Sequence, residues 1–234
     1  PGAFDATQAP PESSESAFQT QPSPAYDTAR IPGEAPLYTL EEVIGRGGMG
    51  VVYRAYQGSL QRSVALKRQI GISSEAGRQR FVAEAVATGR LDHPNIVPVY
   101  DLGTDPTGEV VLTMKLVDGI PWKNLLHPQS DEDRVRAKAY GFEDHLRILV
   151  QVSNAIAFAH SRLIVHNDLK PENVMLGEFG EVLVMDWGLA VHMGEASEET
   201  AIPHRTALQA PCGTPAYMPP ELADGEGARI GAWT

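Results

Sequence analysis

The chain has 234 residues, 42% of them hydrophobic and 21% charged, enough apolar material for one large or two modest folded domains. A formal net charge of −11 argues against nonspecific binding to nucleic acid or to an anionic membrane, which needs clustered lysine and arginine. One cysteine, Cys212, excludes an intramolecular disulfide and a cysteine-rich zinc site. It suits a reducing cytosol, so a cytoplasmic location is expected. No apolar run approaches about 18 residues and no signal peptide is visible, so no membrane contact is expected within these limits.

Residues 1–36 are rich in Pro, Ser, Gln and Ala with little periodicity, and are expected to be a disordered linker. From Leu37 the texture changes. Tyr38 to Ile44 and Val51 to Tyr56 read as strands joined by the glycine-dense turn Gly45-Arg46-Gly47-Gly48-Met49-Gly50. Val64 to Lys67 is a third strand. Ser73 or Ser74 can cap a helix running to about Gly89, with Phe81 and Ala85 inward. Ile96 to Tyr100 and Val110 to Met114 give two more strands, turning at Asp105-Pro106-Thr107-Gly108.

After Leu116 the pattern becomes helical. Leu125-Leu126 belong to a short helix, and Gln129 to Tyr140 is a charged, solvated stretch. A long amphipathic helix follows, with Leu146, Leu149, Val152, Ile156 and Ala159 at three- and four-residue spacings. Val174 to Leu176 and Val182 to Val184 are short apolar strands. A β-rich first half and an α-rich second half predict two lobes with a cleft between them.

Two loops near these last strands carry the chemistry. His166-Asn167-Asp168-Leu169-Lys170-Pro171-Glu172-Asn173 is followed thirteen residues on by Asp186-Trp187-Gly188. Phosphoryl transfer asks for positioned metal ions, neutralised oxygens and an oriented hydroxyl rather than covalent chemistry. Asn173 and Asp186 can hold Mg²⁺, Asp168 can accept the acceptor hydroxyl's proton, and Lys170 can sit against the transferring phosphoryl.

These residues resemble the protein kinase family, whose catalytic loop reads H-R-D-L-x-x-x-N and whose metal loop reads D-F-G. The resemblance implies an α+β fold with a small antiparallel N-lobe over residues 37–117. Residues 118–234 form a mainly helical, incomplete C-lobe. Gly45, Gly47 and Gly50 form G-x-G-x-x-G, which can be a dinucleotide-binding turn or a phosphate flap. The β-branched and aromatic Val51-Val52-Tyr53 after it favours a second strand, hence the flap. Lys67, in V-A-L-K, then contacts the α- and β-phosphates of ATP. Its flanking apolar residues suggest a buried strand, so its charge needs a partner, Glu84 in preference to Glu75. The turn His93-Pro94-Asn95-Ile96 matches the family's H-P-N-I, with His93 structural.

The resemblance further implies that backbone groups of Lys115 and Val117 bind adenine, with Met114 as gatekeeper. Val52 and Ala65 lie above the ring and Met175 below. Lys170 is typical of the serine/threonine branch. Cys212-Gly213-Thr214-Pro215-Ala216-Tyr217-Met218-Pro219-Pro220-Glu221 resembles the end of the activation segment, where Thr214 braces Asp168 and Lys170 and Cys212 is an exposed thiol. The textures G-R-G-G-M-G-V-V-Y and M-D-W-G-L-A look most like bacterial members.

Three departures matter. Asn167 replaces the arginine that pairs with a phosphorylated loop residue, so activation through Ser197, Thr200 or Thr206 is not expected unless Arg90 or Arg205 reads the phosphate. Trp187, larger than phenylalanine, needs a roomier pocket under the helix bearing Glu84. The resemblance also stops thirteen residues after Glu221. A fragment is therefore expected, with Glu221 lacking the family's arginine partner and apolar positions near Leu149, Val152 and Ile156 short of cover. The implied activity is ATP- and Mg²⁺-dependent phosphorylation of Ser or Thr on a protein substrate, in signalling. The alternatives are an inactive nucleotide-binding or scaffolding module and, more distantly, a dinucleotide-dependent enzyme.

Overall fold

A computed structural model describes residues 37–47, 50–69, 74–196 and 200–234. The expected linker over 1–36, the Gly48-Met49 tip of the glycine turn, Ser73 and Ser197 lie outside the described residues. β1 (Tyr38–Gly47), β2 (Gly50–Gln57) and β3 (Arg62–Arg68) form a meander joined by β5 (Val110–Met114) and β4 (Val99–Thr104). The order is β1-β2-β3-β5-β4 and every pairing is antiparallel. β1 and β2 close with Gly47 opposite Gly50. Gly50 has φ +151°, and a Cβ there would stand 2.2 Å from the Arg68 carbonyl oxygen of β3. Only glycine lets these strands approach so closely.

Strand alternation sorts the first half into two faces. Val64 and Leu66 join Ala55 and Tyr53 in an outer cluster. Ala65 and Lys67 point to the other face, where Ala65 packs with Val52, Val97 and Met114. On that inner face lies α1 (Glu75–Gly89), whose Ser74 cap accepts a hydrogen bond from the Gly77 N–H at 3.2 Å. Phe81 and Ala85 bury against Val110 and Leu112. Burying Phe81 completely contributes about 1.5–3 kcal/mol.

Ile96 lies outside any strand, because β4 starts three residues later than expected, at Val99. Pro98 has no N–H for a ladder, and Ile96 instead forms an isolated parallel bridge with Val184. A three-stranded sheet joins β6 (Gly119–Pro121), β8 (Val174–Gly177) and β9 (Val182–Val184). The short helix α2 spans Trp122–Leu126. The charged stretch after it contains α3 (Asp131–Ala137), capped by Ser130, whose hydroxyl accepts from the Asp133 N–H.

α4 (Phe142–Ser161) buries Ile148, Val152, Ala155 and Ala159 in the largest core cluster. Leu146 and Leu149, expected on the inner stripe, are 44% and 48% exposed. Val152 and Ala159 pack as expected and Ile156 is half-buried, but Ile148 and Ala155 complete the packed stripe in place of Leu146 and Leu149, because the helix carries apolar residues on more than one side. Val152, expected to lack cover, is fully packed. β7 (Ile164–Val165) pairs with β10 (Val191–His192), and α5 (Pro220–Ala223) ends the regular structure. No helix among the described residues is long and apolar enough to cross a membrane.

Candidate active site

Sheet register builds the upper half of the site. Val52 sits opposite Lys67 on β2 and β3, and Lys67 sits opposite Leu112 on β5, so the lysine lies on a central strand. Its Nζ donates to both Glu84 oxygens, at 2.6 and 2.7 Å, from the middle of α1. It also lies 5.7 Å from the Phe81 ring centroid, an added cation–π attraction. The rival Glu75 is spent on Gln79. Burial pushes the Glu84 carboxyl above its ordinary range; Lys67 opposes this, and the charge of Asp186 adds to it. Glu84 and Asp186 line the same cleft, so the loop carrying Asp186 lies near α1.

The lower half is built on irregular backbone. Asn167 (φ 64°) and Asp186 (φ 56°) both adopt the left-handed conformation, which Asn and Asp tolerate better than most residues. The Asn167 amide donates to the Leu189 carbonyl at 2.9 Å, tying the catalytic loop to the segment after Asp186. His166 is buried. Its Nδ1 accepts from the Asp168 N–H at 3.2 Å, so Nε2 carries the proton and donates to the Met185 carbonyl at 3.0 Å. Burial holds its pKa below the ordinary value, so it is the neutral brace that this hydrogen bonding requires. Trp187 is 1% exposed, its ring 4.6 Å from that of His166 and packed in one core with Ala87 and Leu91 at the end of α1. The larger ring is accommodated as expected, although its indole nitrogen finds no partner among the described residues.

Asp168 lies at the centre of a network. Lys170 Nζ donates to Asp168 Oδ2 at 2.6 Å and to the Thr214 hydroxyl at 2.7 Å. That hydroxyl donates to Asp168 Oδ1 at 2.7 Å. Burial works to raise the Asp168 pKa, but these hydrogen bonds and the Lys170 charge outweigh it and hold the carboxyl below its usual range. Gly213, at φ +109°, lays the activation segment against this loop, where a Cβ would stand 3.0 Å from the Asn167 carbonyl oxygen. Asn173 donates through its amide nitrogen to the Asp168 carbonyl at 2.8 Å, leaving its amide oxygen for a hard cation. Asp186 is exposed at the cleft floor, and its only hydrogen bond among the described residues is a weak one from the Gly188 N–H at 3.4 Å.

Between the halves lies a cleft of about 230 Å³. Val52, Ala65, Met114, Lys115, Val117 and Met175 line it, with Lys67, Glu84 and Asp186 at its polar end. The Lys115 N–H is committed to the Pro98 carbonyl at 3.0 Å, so only the carbonyl of that residue can meet a ligand. A Cβ on Gly47 would meet nothing within 4 Å, and on Gly45 only Val52 at ordinary contact, which leaves space along the turn for a ligand. The apolar slot, the lysine and the two oxygen donors fit a nucleotide with a hard divalent cation. A larger open hollow of about 540 Å³, lined by Pro94, Gln151 and Phe179 among others, shares Lys115 but holds none of the other candidate residues, so the chemistry belongs to the smaller cleft.

Lys67, Glu84 and Asp186 thus line one cleft, while Asp168 and Asn173, bonded to each other, sit on a loop whose Asn173 carbonyl accepts from the Met185 N–H next to Asp186. Sequence reasoning missed Ile44, Val97 and Met185 in the lining. It also missed the Asn95 amide, which donates at 3.0 Å to both Gln151 and the Val182 carbonyl and ties the loop after α1 to α4. Ile44, Val97 and Met185 carry no local signal, and the H-P-N-I turn marks Asn95 without showing what its amide holds. Two expectations are corrected. Cys212 is half-buried against Val165, Val191 and Leu222, and burial raises its pKa, so it is a packed thiol rather than an exposed one. Buried Glu221 is not left alone, because it accepts from the Thr234 hydroxyl at 2.6 Å.

Comparison with known proteins gives the same picture. Serine/threonine-protein kinase PknD of Protochlamydia amoebophila is 33% identical over 224 residues, covering 87% of this chain and 22% of that protein. The DNA damage-responsive serine/threonine-protein kinase RqkA of Deinococcus radiodurans is 40% identical over 191 residues, covering 81% of this chain and 27% of that protein. PknD of Chlamydia trachomatis is 36% identical over 210 residues, covering 79% of this chain and 22% of that protein. The chain therefore spans little more than a quarter, at most, of the length of these relatives. The profile of the protein kinase domain matches residues 38–232, and the chain belongs to the protein kinase family.

Proposed function

We propose that this chain is the catalytic portion of a bacterial serine/threonine protein kinase, with an N-lobe over 37–117 and a C-lobe over 118–234. Membership of the family implies use of ATP. The observation that carries the reading is a cleft lined by the Lys67–Glu84 pair and Asp186, together with the Asp168–Lys170–Thr214 network on the loop that Asn173 ties to Met185. ATP supplies the phosphoryl group, and Mg²⁺ neutralises its charge.

In this reading the adenine lies in the apolar slot, against the Lys115 carbonyl and the Val117 backbone, with Met114 as gatekeeper. Lys67 and the turn of Gly45, Gly47 and Gly50 hold phosphates, while Glu84 holds the lysine's ammonium group in place. Asn173 and Asp186 hold the metal. Asp168, ionised and clamped by Lys170 and Thr214, orients a Ser or Thr hydroxyl and receives its proton at a carboxylate oxygen. Lys170 faces the transferring charge. The substrate is a protein bearing Ser or Thr, and the setting is the cytoplasm, in signalling. What speaks against the inactive module is that all five residues are present in the sequence and that Lys67, Glu84 and Asp186 share one cleft.

The test is transfer of labelled phosphate from MgATP to Ser- and Thr-containing peptides, with Asp168→Asn and Lys67→Met as controls. Transfer by wild type alone supports the reading. A Tm rise with MgATP but no transfer by wild type would turn it into a binding module.

A further inference from the structure

We propose that Lys123 sets the charge preference of the peptide site by covering Glu172, so that the enzyme takes Ser or Thr flanked by uncharged or acidic residues in preference to basic ones. The inference rests on the kinase reading above and names its substrate class. Lys123 Nζ meets Glu172 Oε1 at 2.8 Å, and the two side chains are 45% and 33% exposed. Glu172 Oε2 is buried with no hydrogen-bond partner among the described residues, and Lys123 is the one ion-pair partner of this carboxylate among them. The bond between the two groups, with their charges, holds the ammonium above and the carboxyl below their ordinary values, so both are charged at neutral pH.

The pair stands beside the catalytic loop. Glu172 is the middle residue of the 3-10 turn Pro171–Asn173, and α2, with Lys123 as its second residue, packs against that turn. The turn is tied to Asp168 from both ends. Lys170 bonds the Asp168 carboxylate and the Thr214 hydroxyl, and Asn173 bonds the Asp168 carbonyl. Glu172 lies four residues past Asp168, so the two backbones are at most about 14 Å apart. An extended peptide whose hydroxyl meets Asp168 can therefore bring a residue within about four of the acceptor to the Lys123–Glu172 pair.

The carboxylates around this loop are engaged. Asp168 is held by Lys170 and Thr214, and Asp186 serves the metal in this reading. Asp133, on the neighbouring α3, is buried and accepts from the Asn124 amide of α2 at 3.2 Å. A flanking arginine or lysine would thus face the Lys123 ammonium while Glu172 is already taken. Like charge set against like charge is how a site rejects a partner. The net charge of −11 would by itself draw basic peptides, so the local arrangement runs against the bulk. At this exposure the pair contributes little to stability, and its consequence is selection.

The experiment measures kcat/KM for three Ser peptides that differ in carrying Ala, Glu or Arg within four residues of the acceptor. The enzymes are wild type, Lys123→Arg, Lys123→Ala and Lys123→Ala combined with Glu172→Gln. The ratio of the Arg peptide to the Ala peptide is read within each variant, so a general loss of activity cancels. Wild type and Lys123→Arg should disfavour the Arg peptide by about fivefold, with the Glu peptide used at least as well as the Ala peptide. Lys123→Ala bares Glu172 and should raise the ratio roughly tenfold, and adding Glu172→Gln should abolish that gain. Three results overturn the inference and leave the kinase reading standing: a wild type that uses the Arg peptide as well as either of the others, an unchanged ratio in Lys123→Ala, or a gain that survives Glu172→Gln. No transfer by wild type to any of the three peptides overturns both.

Discussion

The two halves of the cleft hold their charged residues by different means. Above, Lys67 is fixed by strand register and one buried carboxylate from a regular helix. Below, Asp168 is fixed by hydrogen bonds among loops, with left-handed residues at Asn167 and Asp186 and a brace, Thr214, 46 residues away. The upper half draws its precision from hydrophobic packing, which is nondirectional and tolerant. The lower half draws it from directional bonds in which every partner counts. Substitutions around the upper half should therefore act first on stability, and those in the lower half on turnover.

The largest effects should come from the charged residues themselves. Asp168→Asn and Asp186→Asn are each expected to lower kcat by about 10³-fold or more with the fold intact, as checked by circular dichroism. Next comes the brace. Thr214→Val removes the hydroxyl between Lys170 and Asp168 and should cost about 1–3 kcal/mol of transition-state stabilisation, roughly 10–100-fold in kcat, while Thr214→Ser retains most activity. An unchanged kcat in Thr214→Val would show that Lys170 alone clamps Asp168.

Stability variants sharpen the contrast. Phe81→Ala should cost about 3–5 kcal/mol by denaturant unfolding. On α4, Ile148→Ala should cost about 2–5 kcal/mol, whereas Leu149→Ser at its exposed neighbour should stay within roughly 0.5 kcal/mol. Comparable losses at 148 and 149 would mean that the helix packs on the face read from sequence. Smaller still is the hinge. Lys115 pairs with Glu181 near the surface, so Lys115→Ala should change kcat/KM less than about threefold.

How much of this was legible in the chain follows from the same contrast. Lys67 and most strands of the first half were readable because alternation is local, and β5 falls where expected, while Glu84 was readable from the family's placement of a glutamate near the helix middle. The catalytic loops were readable because their spacing is fixed by the chemistry. The packed stripe of α4 was legible only in part: Val152 and Ala159 fall on it, but Leu146, Ile148, Leu149 and Val150 offer two apolar faces and only neighbouring elements choose between them. Cys212 was misjudged for a similar reason, because its cover comes from Val165 and Leu222, far away in sequence. Arg90 Nη1 donates to the Thr200 hydroxyl oxygen at 3.2 Å, a contact visible only as a list of available side chains until the fold brought the end of α1 to the activation segment.

The central claim is that the two halves form one phosphoryl-transfer site. It is tested most directly by single-turnover transfer from MgATP to a Ser/Thr peptide, measured for wild type, Lys67→Met, Thr214→Val and the double variant. The account predicts measurable transfer by wild type and large losses in both single variants. The double variant should be little worse than the more damaged single, because residues that act as a unit are not additive. Additive losses in the double variant, or no transfer by wild type, would contradict it.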